Sequence, residues 1–168
     1  MTSLILPIAA LLAGVALLLF GSGLLGTLIA VRGGFEGFSA HTIGLITSGY
    51  FVGFLIGTHI APPLIRRIGH IRSFAFYAAA CASLTLLHAL IVAPVPWLLL
   101  RILTGIALVG LYTVIESWLN AQAPSDRRGQ VFAIYMAVNL FALAAGQQLL
   151  RLYPPEAFAL FALVAMLI

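Results

Sequence analysis

Residues 97 to 119 read WLLLRILTGIALVGLYTVIESWL. These 23 residues hold two charged groups, Arg101 near the start and Glu116 near the end. A helix of that length rises about 35 Å, enough to cross the ~30 Å hydrocarbon layer of a bilayer. Working outward, four more runs have the same character, at about 5–31, 42–65, 73–93 and 130–151. A sixth, 156–168, is apolar but only 13 residues long. At about 1.5 Å per residue it falls short of a bilayer. The expectation is an all-α, polytopic membrane helix bundle whose last helix continues beyond Ile168. The whole of 1–168 is read as one unit.

Composition supports lipid as the solvent. Hydrophobic residues make up 63% of the chain and charged residues 7%, with a mean hydropathy of +1.18. No soluble domain of 168 residues could enclose that much apolar surface. The net charge of +4 comes from eight arginines and no lysine. Most of them lie at the ends of apolar runs and none interleaves with aromatics, which argues against a nucleic-acid partner. The one cysteine, Cys81, sits in an apolar run and reads as a small packed hydrophobe. Nothing has metal-ligand spacing, and no cofactor fingerprint or activated nucleophile is found, so an enzyme is not expected.

The connections are short. Arg32–His41 is glycine-rich, Asn120–Gly129 is polar, and Pro94–Pro96 makes a tight turn that places Trp97 at headgroup level. Arg66, Arg67, Arg72, Arg127 and Arg128 flank the loops after the second and fourth runs, against Arg32 and Arg151 on the other side. Five against two puts the first set, and with it the N-terminus, in the cytoplasm.

Within the runs, Gly49, Gly53 and Gly57 recur every fourth residue and form one smooth helix face suited to close backbone packing. In the fourth run, Arg101, Gly105, Tyr112 and Glu116 fall within about 60° of one another at ~100° per residue. Arg101 and Glu116 are about 22 Å apart along the axis, so each needs its own partner. An ionisable side chain inside a span costs at least ~2.5–3.5 kcal/mol on insertion scales, so Glu116 is read as a gate or coupling carboxylate. A satisfied structural charge is the rival reading, and for Arg101 so is snorkelling to the interface. Asn139, near the middle of the fifth run, is a cavity candidate, with interhelical hydrogen bonding as its plainer role. His59 and His88 read as interfacial or packed.

Residues 57–73, GTHIAPPLIRRIGHIRS, have one further reading. They resemble the loop signature between the second and third helices of the major facilitator superfamily. Arg67 and Gly69 match it, and Arg72 matches a trailing basic position. Pro62 stands where the family has a glycine, and Arg66 where it has an aspartate, so the family's aspartate lock is not carried over. RILTG (101–105) resembles the arginine–glycine signature of the fourth helix, and SDRRGQVFAIY (125–135) the start of the fifth. With VIESWLN (114–120) and NLFALAAGQQLL (139–150), the set is most similar to the YcaD-like branch of bacterial transporters.

The resemblance implies an N-terminal half of six helices, the sixth truncated here, built as an inverted repeat of three helices. Its partners would be the lipid bilayer, the missing C-terminal half of the same protein, and a small solute. The implied function is secondary active transport by alternating access in the cell inner membrane, with proton coupling open. Spans one and four would line the cavity. Spans two and five would meet the other half, with the 49/53/57 face allowing sliding there. Arg66, Arg67, Gly69 and Arg72 would form a cytoplasmic gate loop, and Glu116 would pair with Arg67 or Arg72 in the outward-facing state. The alternative is a non-transporting six-span scaffold or channel-like subunit.

Overall fold

The computed structural model describes residues 2–168, with side-chain surroundings from residue 11 onward; Met1 of the expected unit lies outside them. Six α-helices account for nearly all of it: α1 (Thr2–Phe35), α2 (Ala40–Ile68), α3 (His70–Leu90), α4 (Pro94–Gln122), α5 (Arg128–Gln148) and α6 (Phe158–Leu167). A short 3₁₀ turn, Leu149–Leu152, extends α5. The first five are long and apolar enough to span a membrane. There is no strand among the described residues.

α1, α2 and α4 outrun their apolar runs at both ends, because backbone polar groups are cheapest to satisfy inside a helix wherever water is scarce. The ends follow local chemistry. Ser39 caps α2 by accepting a hydrogen bond from the Thr42 N–H at 3.1 Å. Pro94 opens α4 at its first turn, where a missing N–H costs nothing. The expected loop between the second and third runs shrinks to one residue. Arg66 and Arg67 end α2, Arg72 lies in the first turn of α3, and Gly69 alone separates the helices. Its φ of 83° and ψ of 165° belong to a region only glycine enters freely. Gly69 N–H donates to Ile65 O, and Gly69 O accepts from Ser73 N–H, so one residue closes both helices.

Packing follows a definite plan. α4 lies against α2 and α3, α1 lies against α5 and α6, and α3 meets α6. Replacing α1, α2 and α3 by α4, α5 and α6 turns this set of contacts into itself. The correspondence extends to single residues. A Cβ on Gly53 would overlap the Ile102 carbonyl, and one on Gly105 the Tyr50 carbonyl. Likewise a Cβ on Gly146 would overlap the Phe20 carbonyl, and one on Gly23 the Leu143 carbonyl. Phe20 and Gly23 on α1 thus correspond to Ile102 and Gly105 on α4, each 82 positions later. Tyr50 and Gly53 on α2 correspond to Leu143 and Gly146 on α5, each 93 positions later. Every Cβ leans toward the helix N-terminus, so in a parallel crossing each glycine faces the partner residue one turn earlier. Both crossings show that pattern. The two three-helix units share one packing device despite little shared sequence.

This placement corrects one expectation. Gly49, Gly53 and Gly57 are buried against α4, with Gly49 facing Leu98 and Gly57 facing Ile106 and Val109. The face holds this bundle together and is not offered to a further half. The sequence pattern marked a close-packing face but could not say which neighbour takes it.

Two apolar clusters fill the interior. One gathers Leu24, Leu25 and Leu28 of α1 with Trp97 of α4 and Leu160 and Phe161 of α6. The other joins Leu18 and Leu19 to Ala61, Tyr77, Leu111 and Tyr135 toward the opposite end. Trp97 is a second correction: it is fully enclosed by the protein and does not face the headgroups. Its Nε1 donates to the His88 carbonyl at 3.0 Å, and its ring meets Phe38 edge-on at 5.3 Å. With its one donor satisfied, the indole can occupy the core.

The crossings give a direct expectation. Gly146→Ala or Gly105→Ala forces backbone apart and should destabilise by about 1–3 kcal/mol. Gly44→Ala, with open space at its Cβ position, should cost nothing of that size. Thermal unfolding of the purified variants in detergent checks this, and equal midpoints for Gly146→Ala and Gly44→Ala would refute the crossing geometry.

Candidate functional site

The polar side chains fall into two levels along the bundle. The first begins in the N-terminal part of α4. Arg101 is 6% exposed and has no acid partner among the described residues. Its guanidinium carbon sits 4.9 Å from the Tyr50 ring centroid, over the face of the ring. Its Nε has no hydrogen-bond partner. Cation–π attraction is its one specific contact, and desolvation strengthens it. His88 is also buried, with Nδ1 2.8 Å from the Leu84 carbonyl and Nε2 unpartnered. Snorkelling is therefore not what Arg101 does: its side chain turns inward, toward α2. About three α4 turns beyond Arg101, the Tyr112 ring packs 6.3 Å from Phe54.

The second level is the end of α4 beside the α2–α3 corner. His70, the first residue of α3, lies 2.9 Å from Ser117 Oγ through its Nε2. Ile68, Gly69, His70, Ile71 and Arg72 of the corner and Ser117, Trp118 and Ala121 of α4 line a groove of about 480 Å³. Glu116 stands one residue before Ser117 and points the other way, accepting the Tyr135 hydroxyl of α5 at 3.3 Å. Asn139 lies one turn along α5 from Tyr135.

Glu116 and the arginine corner thus share one end of the bundle, as the sequence reading requires. They do not form an ion pair here. The ion pairs among the described residues are Arg32–Glu36 at 2.6 Å and Arg127–Asp126 at 3.6 Å. Arg66, Arg67 and Arg72 are exposed and carry their charge toward the surroundings.

Sequence reasoning missed Tyr50 and Ser117, whereas the interhelical hydrogen bond of Tyr135 is the role its place in the fifth run suggests. Tyr50 and Ser117 lie on helices whose neighbours are unknown until the chain is folded. Tyr50 did have one signal, since it follows Gly49 on the helix whose glycine face packs on α4.

Six helices in two interchangeable units of three, five of them apolar enough to span a membrane, define a polytopic membrane helix bundle. Residues 11–168 match the family model of the Major Facilitator Superfamily. The chain belongs to that superfamily. It is 34% identical over 147 residues to "Uncharacterized MFS-type transporter YcaD" of Escherichia coli O45:K1, covering 85% of this chain and 37% of that protein. It is 30% identical over 154 residues to "Uncharacterized MFS-type transporter Ent638_1421" of Enterobacter sp. strain 638, covering 89% of this chain and 39% of that one. The chain spans about two fifths of the length of these curated relatives. No solved structure matches it. The relatives bear transporter names, not enzyme names, and the chain is a multi-pass membrane protein.

Arg101 offers a check on the first of these levels. A buried charge without an acid partner is often replaced by an apolar residue without loss of stability. Arg101→Leu should leave the thermal midpoint unchanged or raised. A large drop would show that the guanidinium is a structural support.

Proposed function

We propose that this chain forms the first half of a secondary transporter that carries a small solute across the bacterial inner membrane by alternating access. The supporting observation is the pair of matching glycine crossings, α2 on α4 and α1 on α5. They make the bundle a rigid unit of two inverted halves, the form in which transporter domains rock against a partner domain. The partner in this reading is a second six-helix bundle of the same protein. It would cover the exposed apolar side chains of α2 and α5, such as Phe51, Leu55, Leu140 and Phe141. The arginine count puts the N-terminus, the α2–α3 corner and the α4–α5 loop in the cytoplasm.

Glu116 takes the gating or coupling role. It is the one acid within the five spans, and the neutral donor Tyr135 holds it in place of a cation. A carboxylate held by a hydroxyl can exchange a proton, or swing to an arginine of the nearby corner, without first breaking an ion pair. Arg101 and Tyr112 give the centre of α4 its polarity, and Asn139 extends it to α5.

Cysteine accessibility tests the reading without knowledge of the solute, because the native Cys81 is fully buried and should stay silent. Tyr112→Cys and Asn139→Cys, placed in the full-length protein, should react with a membrane-impermeant maleimide from both sides of the membrane, using vesicles of opposite orientation. Reaction from one side alone would favour a static scaffold. Imposing a pH gradient should shift the preferred side of labelling. Glu116→Gln should remove that shift and leave labelling itself intact. A gradient response that survives in Glu116→Gln would take the coupling role away from this residue.

A further inference from the structure

The groove beside the α2–α3 corner shares Arg72 and Gly69 with the gate reading, but the rest of its lining serves no step of transport. Its polar lining is His70, Arg72 and Ser117, and its apolar lining is Ile68, Ile71, Trp118 and Ala121. No Asp or Glu lines it. The nearest acid in sequence, Glu116, is occupied by Tyr135 on the far side of α4. Arg66 and Arg67 complete the last turn of α2 next to it. No carboxylate among the described residues forms an ion pair with Arg66, Arg67 or Arg72. Arg72 and His70 therefore line the groove, with Arg66 and Arg67 on the neighbouring turn, and no carboxylate of the described residues pairs with these arginines.

The apolar part selects among anions. A soluble anion site needs polar walls all round. Here Ile71 is 76% exposed and Trp118 is 41% exposed, both at the end of a membrane span. Exposed apolar and indole groups at that depth meet the boundary between headgroups and acyl chains. Ser117 holds His70 in place at 2.9 Å, so the imidazole is positioned before any ligand arrives.

We propose that the groove between the α2–α3 corner and the end of α4 binds an anionic phospholipid, with Arg72 and His70 on the headgroup phosphate and Trp118 along the acyl chain. Basic pockets between transmembrane helices hold phosphate headgroups by the same combination of charge and an apolar wall. Arg66 and Arg67 add attraction from the neighbouring turn. The corner that ties α2 to α3 would then be held by lipid as well as by Gly69.

Tryptophan fluorescence tests this at the groove itself. The chain has two tryptophans, and Trp97 is fully buried, so Trp118 is the one open to lipid. The protein is reconstituted into phosphatidylcholine vesicles doped with either brominated phosphatidylglycerol or brominated phosphatidylcholine. Half-maximal quenching should come at a lower mole fraction of the phosphatidylglycerol, by about fivefold for each arginine that contributes. Trp118→Phe should remove the quenchable emission. Arg72→Gln, at an exposed position, should bring the two quenching curves together, and Arg72→Lys should keep most of the difference. Arg128→Gln, at the start of α5, should leave it unchanged. Coincident curves for the unmodified protein would overturn the proposal. So would equal effects of Arg72→Gln and Arg128→Gln, which would mean attraction to general surface charge. Loss of the phosphatidylglycerol advantage in inorganic phosphate, but not in chloride at matched ionic strength, would assign the groove to a soluble anion and also overturn it. None of these outcomes depends on whether the protein transports a solute.

Discussion

Four glycines set the distances on which this bundle depends. Between helices in lipid there is little hydrophobic driving force, because the surrounding tails are as apolar as the side chains. What remains is van der Waals contact, which rises steeply as backbones approach. Gly53 and Gly105 allow that approach between α2 and α4, and Gly23 and Gly146 between α1 and α5. The two crossings place α1 and α4 between their partners. The large side chains of the interior, Trp97, Tyr77, Tyr135 and Phe161 among them, fill the space that results. A methyl group at any of the four positions would meet a carbonyl of the facing helix, so the whole arrangement tolerates no side chain there.

A scaffold fixed in this way can carry polar groups that would otherwise unfold it. Arg101 is desolvated by α2 and α3 and has Tyr50 as its one specific contact. Such a residue adds little to stability, so its presence in a bundle this apolar calls for a functional reason. Glu116 is held more loosely, by a single hydroxyl from a different helix. The two charged groups of α4 thus differ in kind: one is locked in the interior, and the other is poised at the end where the arginine corner lies. The corner itself is rigid because Gly69 leaves no loop to flex. Charge at this end is therefore fixed in position on one side of a short gap and adjustable on the other.

Much of this was legible before folding. The apolar runs located all six helices; α1, α2 and α4 extend past theirs at both ends, whereas α6 is shorter than its run. The regular spacing of Gly49, Gly53 and Gly57 identified a packing face. The charge pattern placed Glu116 at the same end as Arg66, Arg67 and Arg72. Trp97 was misread because a tryptophan near a span end has two good positions, at the interface or in the core with its N–H satisfied. Only the His88 carbonyl, brought alongside by the α3–α4 turn, decides between them.

The sequence by itself determined that the chain is helical, that it lives in lipid and that most of its charges lie at the ends of the apolar runs. These are properties of composition and period, and they need no partner. Which helix meets which was decided by the tertiary structure alone. In a chain that is apolar on nearly every face, hydrophobicity does not distinguish the side toward protein from the side toward lipid. Contact between backbones makes that distinction, and it depends on two helices arriving at the same place with glycines in matching positions. The same holds for Arg101 under Tyr50, for Glu116 with Tyr135 and for the groove beside Trp118. Each is built from residues on different helices, and their meeting follows from the glycine crossings.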